Sequence, residues 1–115
     1  MTVEIVQRAT SRARLASLAV EQFGDMVKAV VDVKRRVIAI GGELHSDEEA
    51  ALMEDGSAQV DLWGINLYPA EQGDAWIEFE SMINVRPSQG NRSRSVEDER
   101  LRDVIRQIVT SLFHA

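Results

Sequence analysis

The residues best suited to chemistry lie in residues 86–95, a segment with the composition of an anion-binding loop. It combines arginines with small hydroxyl and amide side chains, and it precedes a predicted helix whose first turn offers unpaired N–H groups. A guanidinium group binds phosphate or carboxylate through two parallel hydrogen bonds. The candidate anion-binding residues are Arg86, Ser88, Gln89, Asn91, Arg92 and Arg94. The sequence therefore predicts a site for a small anionic ligand in this segment, called the 86–95 loop below.

Two features of the same loop support a different interpretation. The loop lacks the Gly-Lys-Ser/Thr ending of a phosphate-binding P-loop. In addition, Glu97, Asp98 and Glu99 follow it in the predicted first helical turn, where they would repel a phosphate and could pair with the arginines. The alternative, which the sequence favours, is an ordered surface loop whose arginines form ion pairs with acidic residues.

A second candidate site follows the Gly41-Gly42 break, where Glu43 and His45 could bind a divalent metal ion. A three-ligand site would need one more residue from elsewhere, such as Asp61 or Glu80. The spacing selects neither of them. The alternative, which we favour, is that His45 packs at the start of a helix capped by Ser46.

A third candidate is a polar face on two predicted strands. Glu78 and Glu80 alternate along one strand, so their Cα atoms would lie about 6.5 Å apart on one side of the sheet. Such a pair could divide acid and base roles or hold a divalent ion, although it is more often a solvated face. The predicted polar sheet face consists of Asn66, Tyr68, Glu78, Glu80 and Asn84.

The charge of the chain is unevenly distributed. Eleven Asp and Glu residues and no Lys or Arg lie between Glu43 and Glu80, in a protein of net charge −6. Nucleic-acid binding is therefore not expected, because it needs many basic contacts to phosphate. The chain has no cysteine, which excludes disulfides, thiolate metal sites and cysteine nucleophiles.

The apolar periodicity predicts the elements that must position these residues. Strand patterns occur at residues 3–6, 26–33, 37–40, 62–68 and 75–85. One helix begins near Thr10 or Ser11 and ends at Gly24, and a short one begins at Ser46. A long helix capped by Ser95 presents one apolar stripe, which consists of Leu101, Val104, Ile105, Ile108 and Leu112.

This order of elements predicts an α+β fold in a single domain covering residues 1–115. We expect a two-layer sandwich, with a mainly antiparallel sheet of about five strands and helices packed on one face. No apolar run is long enough to cross a bilayer, so we expect a cytoplasmic protein with no membrane contact.

A resemblance to a known family is carried by Asp32 and by three stretches of the sequence, residues 39–45, 61–69 and 82–93. With them the chain resembles, over nearly its whole length, a family of short prokaryotic proteins known only as a domain of unknown function. The resemblance implies a complete single-domain protein. It implies no substrate, cofactor or catalytic residue.

Taken together, these residues favour a small binding or interaction domain, for which the 86–95 loop is the candidate anion site. We also expect that it can form a homodimer, because a two-layer fold would not bury all of Trp63, Tyr68, Trp76 and Met82. The alternative is a metal-assisted hydrolase that uses Glu43, His45 and a further carboxylate on an anionic substrate. A divalent metal is the only cofactor that these residues suggest.

Overall fold

The computed structural model describes residues 2–115 of the chain, which form seven strands and three helices. The strands are β1 (Glu4–Val6), β2 (Thr10–Ser11), β3 (Val27–Asp32), β4 (Val37–Ile40), β5 (Leu62–Leu67), β6 (Ile77–Glu78) and β7 (Phe113–His114). The helices are α1 (Arg12–Glu21), α2 (His45–Glu54) and α3 (Glu99–Leu112). Short 3-10 turns span Gln59–Asp61, Gly73–Trp76, Met82–Asn84 and Pro87–Gln89.

Five strands form one antiparallel sheet in the order β1-β4-β3-β5-β6. The predicted α+β fold with a five-stranded antiparallel sheet is therefore confirmed. The remaining strands, β2 and β7, pair in parallel and tie the end of α3 to the start of α1. No helix in residues 2–115 has both the length and the apolar character needed to cross a membrane.

Helices α1 and α3 pack on one face of the sheet and form the larger core with it. Leu15 of α1 and both Ile105 and Ile108 of α3 are completely buried. The apolar stripe predicted on α3 is confirmed, since its members are buried or packed against this core. Full burial of each Leu or Ile contributes about 1.5–3 kcal/mol, so this face supplies most of the stability of the fold.

The other face of the sheet is covered by α2, which differs from the expected placement of all helices on one face. Leu52 of α2 is completely buried and packs with Val30, Ala39 and Leu62. The apolar run of β3 has its physical reason here, because a strand that is buried on both faces does not need polar alternation.

The segment of residues 75–85 differs most from the predicted pattern. The predicted strand at 75–85 is reduced to β6, because the chain leaves the sheet after Phe79 and turns at Met82–Asn84. The predicted helix caps are wrong as well. Helix α2 starts at His45 without a side-chain cap, and Asp98 rather than Ser95 caps α3 by accepting from the backbone N–H of Arg100.

Both tryptophans are buried, contrary to the reasoning behind the predicted homodimer. Trp63 is 5% exposed and Trp76 is 7% exposed. The guanidinium of Arg86 lies 5.0 Å from the Trp63 ring centroid, and that of Arg12 lies 3.9 Å from the Trp76 ring centroid. Of the four residues behind the dimer prediction, Met82 is exposed and Tyr68 is half-buried, so the prediction rests on these two side chains.

Candidate functional site

A cleft of about 280 Å³ opens on the α2 side of the sheet. It is lined by Met26, Lys28, His45, Asn66, Glu78, Glu80, Ser81, Met82 and Arg94. Three residues of the predicted polar face, one predicted metal ligand and one predicted anion-binding residue therefore meet in one place. The structure brings together parts of three candidate sites that the sequence kept separate.

Three polar side chains form a row across neighbouring strands of this cleft. Lys28 on β3 is directly opposite Asn66 on β5, and Asn66 is directly opposite Glu78 on β6. Adjacent strands lie about 4.8 Å apart, so the Cα atoms at the two ends of the row are about 10 Å apart. The row therefore places a cation at one end and a carboxylate at the other.

Asn66 is the central member of the row, and its amide has a fixed orientation. Its Nδ2 donates to Oε1 of Glu78 at 2.8 Å and to the backbone oxygen of Glu80 at 3.1 Å. Both partners are acceptors, so the nitrogen must face them and Oδ1 must face away. Oδ1 is buried, and no side chain or backbone group in residues 2–115 donates to it.

His45 holds the start of α2 against the sheet. Its Nε2 lies 2.8 Å from the backbone oxygen of Ile65. Since a carbonyl can only accept, Nε2 carries the hydrogen in this arrangement. Burial lowers the pKa of His45, and the nearby positive charge of Lys28 acts in the same direction, although the contacts to Ile65, Asn66 and Glu78 oppose the shift. His45 therefore packs at the helix start, as the favoured interpretation predicted, but Ser46 does not cap the helix.

Two cations line the cleft without an ion pair among residues 2–115: Lys28 and Arg94. The ammonium of Lys28 lies 5.1 Å from the ring centroid of Phe23. The Nη1 atom of Arg94 lies 4.0 Å from the sulfur of Met82. Neither contact neutralises the charge, so both cations can receive an anionic group.

Arg86 in the 86–95 loop is engaged within the fold. Its Nη2 lies 3.1 Å from a carboxylate oxygen of Glu49 on α2, and its guanidinium stacks over Trp63. Burial lowers the pKa of Arg86, and the Glu49 carboxylate opposes that shift. The alternative interpretation of the loop is confirmed for this arginine, because it pairs with a residue of the acidic segment.

Asn91 organises the rest of the 86–95 loop. Its Nδ2 donates to the backbone oxygens of Asn84, Ser93 and Ser95 at 2.7, 3.0 and 2.8 Å. Its Oδ1 accepts from the backbone N–H of Glu97 at 2.9 Å. With 5% of its surface exposed, Asn91 is a buried structural residue and does not face a ligand.

The backbone donors of this loop are already occupied by a carboxylate of the protein. Oε2 of Glu97 accepts from the backbone N–H groups of Arg92 and Ser93 at 3.1 and 2.8 Å. Hydrogen bonds from Ser93 lower the pKa of Glu97 more than any other cause. Arg92 and Ser88 are exposed and lie outside the cleft, and Gln89 donates to the backbone oxygen of Val60 at 3.1 Å.

Asn84 also has a structural role in place of the predicted position on the polar face. Its Oδ1 accepts from the Gly64 N–H at 2.8 Å, and its Nδ2 donates to the Gly64 oxygen at 2.9 Å. The side chain thus pairs with β5 as a strand residue would, at the position where β6 has ended. Ser81 packs close to Gly64: a Cβ added to Gly64 would lie 2.5 Å from the Cβ of Ser81.

Tyr68 stays at the margin of the cleft. Its hydroxyl donates to Oε1 of Glu78 at a distance of 3.4 Å. Burial is the first cause that raises the pKa of Tyr68, followed by the negative charge of Glu78. The tyrosine therefore supports the carboxylate that ends the polar row.

The two predicted metal ligands do not meet. Glu43 is exposed and lines a separate depression with Asp47, whereas His45 lines the cleft. Of the two suggested third ligands, Glu80 shares the cleft with His45 and Asp61 does not. No group of three or more His, Asp or Glu side chains within residues 2–115 is placed to hold a metal ion. The metal-assisted hydrolase stays a prediction without such a cluster to support it.

Glu48 in the first turn of α2 is a buried carboxyl group. It is completely buried, and its Oε2 accepts from the backbone N–H of Gly42 at 3.1 Å. Its Oε1 has no partner among residues 2–115. Burial raises the pKa of Glu48 from 4.5 to about 9, which keeps the group protonated at neutral pH. A Cβ at Gly42 would lie 2.7 Å from the Glu48 Cγ, so this packing requires glycine.

The sequence analysis missed Lys28, Ser81, Met26 and Met82 as lining residues. Lys28 carried a weak signal, because it is the single basic residue within the apolar run of β3. Its position opposite Asn66 depends on the pairing of β3 with β5, and the local pattern does not determine that pairing.

Comparison with known proteins identifies a family and no function. Residues 4–112 match the family model described as a protein of unknown function (DUF5674). No curated protein and no solved structure matches the chain. The predicted resemblance to an uncharacterised family is confirmed.

Proposed function

The chain belongs to the DUF5674 family of proteins of unknown function, and we propose that it binds a small anionic ligand in the cleft between β3, α2 and the 86–95 loop. The proposal keeps the anionic ligand predicted from the sequence, but it assigns that ligand to the cleft and not to the 86–95 loop as a whole. Of the candidate anion-binding residues, only Arg94 lines the cleft. The cleft adds Lys28 from β3 as a second cation.

One observation carries this proposal: Lys28 and Arg94 face the same cleft and neither forms an ion pair among residues 2–115. The protein has a net charge of −6, so carboxylates are abundant, yet no carboxylate among residues 2–115 lies within ion-pair distance of these two cations. An ammonium group and a guanidinium group on separate elements can hold a carboxylate or phosphate from different directions. The part of a ligand that they support is therefore an oxyanion.

The rest of the 86–95 loop supports the cleft as its wall. Arg86 pairs with Glu49, and Asn91 donates to the loop backbone. The Glu97 carboxylate accepts from two backbone N–H groups of the loop. These contacts fix the position of Arg94, whose backbone oxygen accepts from Ser81 and Asn84. A rigid wall reduces the conformational entropy that a ligand must remove on binding.

Titration with phosphate, sulfate and acetate at constant ionic strength tests the proposal. We expect saturable shifts of backbone amide signals around Lys28 and Arg94 in NMR spectra of the labelled protein. Hydrogen bonds to charged groups contribute about 1.5–3 kcal/mol, so Lys28→Gln or Arg94→Gln should weaken binding by about 10-fold or more.

Two matched variants control for the loss of a positive charge alone. Lys34→Gln removes an exposed lysine from the turn after β3, and Arg92→Gln removes an exposed arginine from the same loop as Arg94. Both side chains lie outside the cleft, so binding should stay within about twofold of wild type, as expected for screened surface charges. Equal losses in all four variants, or no saturable binding of any of the three anions, would contradict the proposed function.

The cytoplasmic location and the homodimer belong to the same proposal. The absence of cysteine suits a reducing compartment. Light scattering at two protein concentrations tests the dimer, and a mass of 12.9 kDa at both would contradict it. Ligand binding in the cleft does not depend on either statement.

A further inference from the structure

The acceptor groups of the cleft are as prominent as its cations. Asn66 lines the cleft, and two acceptors fix the orientation of its amide. Its Oδ1 is buried and has no donor among residues 2–115, because the one N–H group of the neutral His45 ring is donated to the backbone oxygen of Ile65. A buried acceptor without a donor costs stability.

Two carboxylates lie in the same cleft. Glu78 accepts from Asn66 and Tyr68, and Glu80 lines the same cleft. Neither forms an ion pair among residues 2–115. A ligand with negative charge alone would approach Lys28 and Arg94 but would be repelled by these two groups. A ligand that also carries a positive charge would be attracted by both halves of the cleft.

We propose that the ligand of this cleft is a small zwitterion, which combines a carboxylate with a protonated amine as free amino acids and short peptides do. The inference rests on the proposed function and names the class of ligand. The ammonium group faces the carboxylates of Glu78 and Glu80, and the oxyanion faces Lys28 and Arg94. A water molecule fills about 30 Å³ in the liquid. The cleft of about 280 Å³ is several times that volume, so a small zwitterion fits into it.

Three matched peptides separate the two charges of such a ligand. Alanyl-alanine carries both charges, its N-acetyl derivative carries only the carboxylate, and its C-terminal amide carries only the ammonium group. Their dissociation constants can be measured by NMR titration at constant ionic strength and pH 7. We expect the zwitterion to bind at least about tenfold more tightly than either blocked peptide, because each blocked end loses a charge-assisted contact.

Two variants assign the ammonium half. Glu78→Gln keeps an oxygen that can accept from Asn66 and Tyr68 while it removes the charge, and Glu80→Gln removes the second carboxylate. Each should weaken binding of the zwitterion about tenfold and leave the N-acetyl peptide unchanged or bound more tightly. The exposed Glu71, outside the cleft, provides the control variant Glu71→Gln. Wild-type amide spectra away from the cleft confirm that each variant is folded.

The outcomes distinguish this inference from the proposed function. Equal affinity for the zwitterion and the N-acetyl peptide overturns the zwitterion inference and leaves anion binding intact. Equal affinity for the zwitterion and the C-terminal amide overturns the oxyanion half, and with it the proposed function. Binding of none of the peptides, together with saturable binding of phosphate or acetate, rejects the zwitterion alone.

Discussion

The cleft and the 86–95 loop each contain a buried asparagine, and the two side chains differ in how completely they are satisfied. Asn91 in the loop makes four hydrogen bonds with its two polar atoms. Asn66 in the cleft makes two with Nδ2, and its Oδ1 has no partner within residues 2–115. Both are at most 7% exposed, so solvent access does not explain the difference.

The difference separates residues that build the fold from residues that remain available to a ligand. The loop uses amide groups to replace regular backbone pairing, and both polar atoms of Asn91 take part in it. Among residues 2–115, the α2 side of the sheet keeps buried polar atoms without partners, such as Oδ1 of Asn66 and Oε1 of Glu48, whereas the loop keeps one, Nη1 of Arg86. A change in the loop should therefore lower stability, whereas a change on the α2 side can leave it unchanged or raise it.

The largest effect is expected for Glu48→Gln, which tests whether a buried group on the α2 side lowers the stability of the folded protein. Between pH 4.5 and about 9, Glu48 keeps its proton in the folded protein but loses it in the unfolded chain. The contribution of this group is thus fully present below pH 4.5 and is lost as the pH rises toward 9. One pKa unit corresponds to about 1.36 kcal/mol. The variant should exceed wild type by about 4 kcal/mol at pH 8 and by little at pH 4.5.

Urea unfolding at several pH values measures this difference directly. Glu54→Gln on the exposed side of the same helix is the matched control, and its stability should follow wild type within about 0.5 kcal/mol at every pH. If Glu48→Gln and wild type show the same pH dependence, Glu48 is not a buried neutral acid and this half of the comparison fails.

The second-largest effect is expected for Asn91→Ala in the loop. The change removes three donated hydrogen bonds and leaves the backbone N–H of Glu97 without its acceptor. Loss of several buried bonds in one network should destabilise the protein by about 3 kcal/mol. Ser88→Ala, at an exposed position of the same loop, should change stability by less than about 0.5 kcal/mol. Similar values for the two variants would show that Asn91 does not organise the loop.

Much of the fold could be predicted from the sequence, because local apolar patterns determine it. Strands β3, β4 and β5 and the buried stripe of α3 lie within the predicted segments. The position of α2 could not be predicted, since a ten-residue helix of mixed character gives no sign of which face it covers. The completely buried Leu52 decides this, and only its tertiary contacts show it.

The candidate site could be predicted only in part, because its geometry depends on contacts between distant segments. The sequence analysis named Asn66, His45 and Arg94, but it assigned them to three different candidate sites. It gave the same weight to Asn84 and Asn91, whose side chains replace backbone pairing at Gly64 and in the loop. An asparagine that builds the fold and one that remains available have the same sequence signature.

The smallest effect is expected for His45→Gln, which tests the α2 side at acid pH. Burial lowers the pKa of His45, so the unfolded chain binds a proton near pH 6.5 before the folded protein does. The contribution of His45 is therefore fully present above pH 6.5 and is lost as the pH falls below it, by at most about 1.4 kcal/mol per pH unit. Glutamine can keep a donor for the backbone oxygen of Ile65 but does not titrate. The variant should equal wild type at pH 7.5 and exceed it at pH 5.5, measured by urea unfolding. If the variant and wild type lose the same stability between pH 7.5 and pH 5.5, the titrating group is not His45. The neutral state of the His45 ring in the folded protein would then no longer be supported.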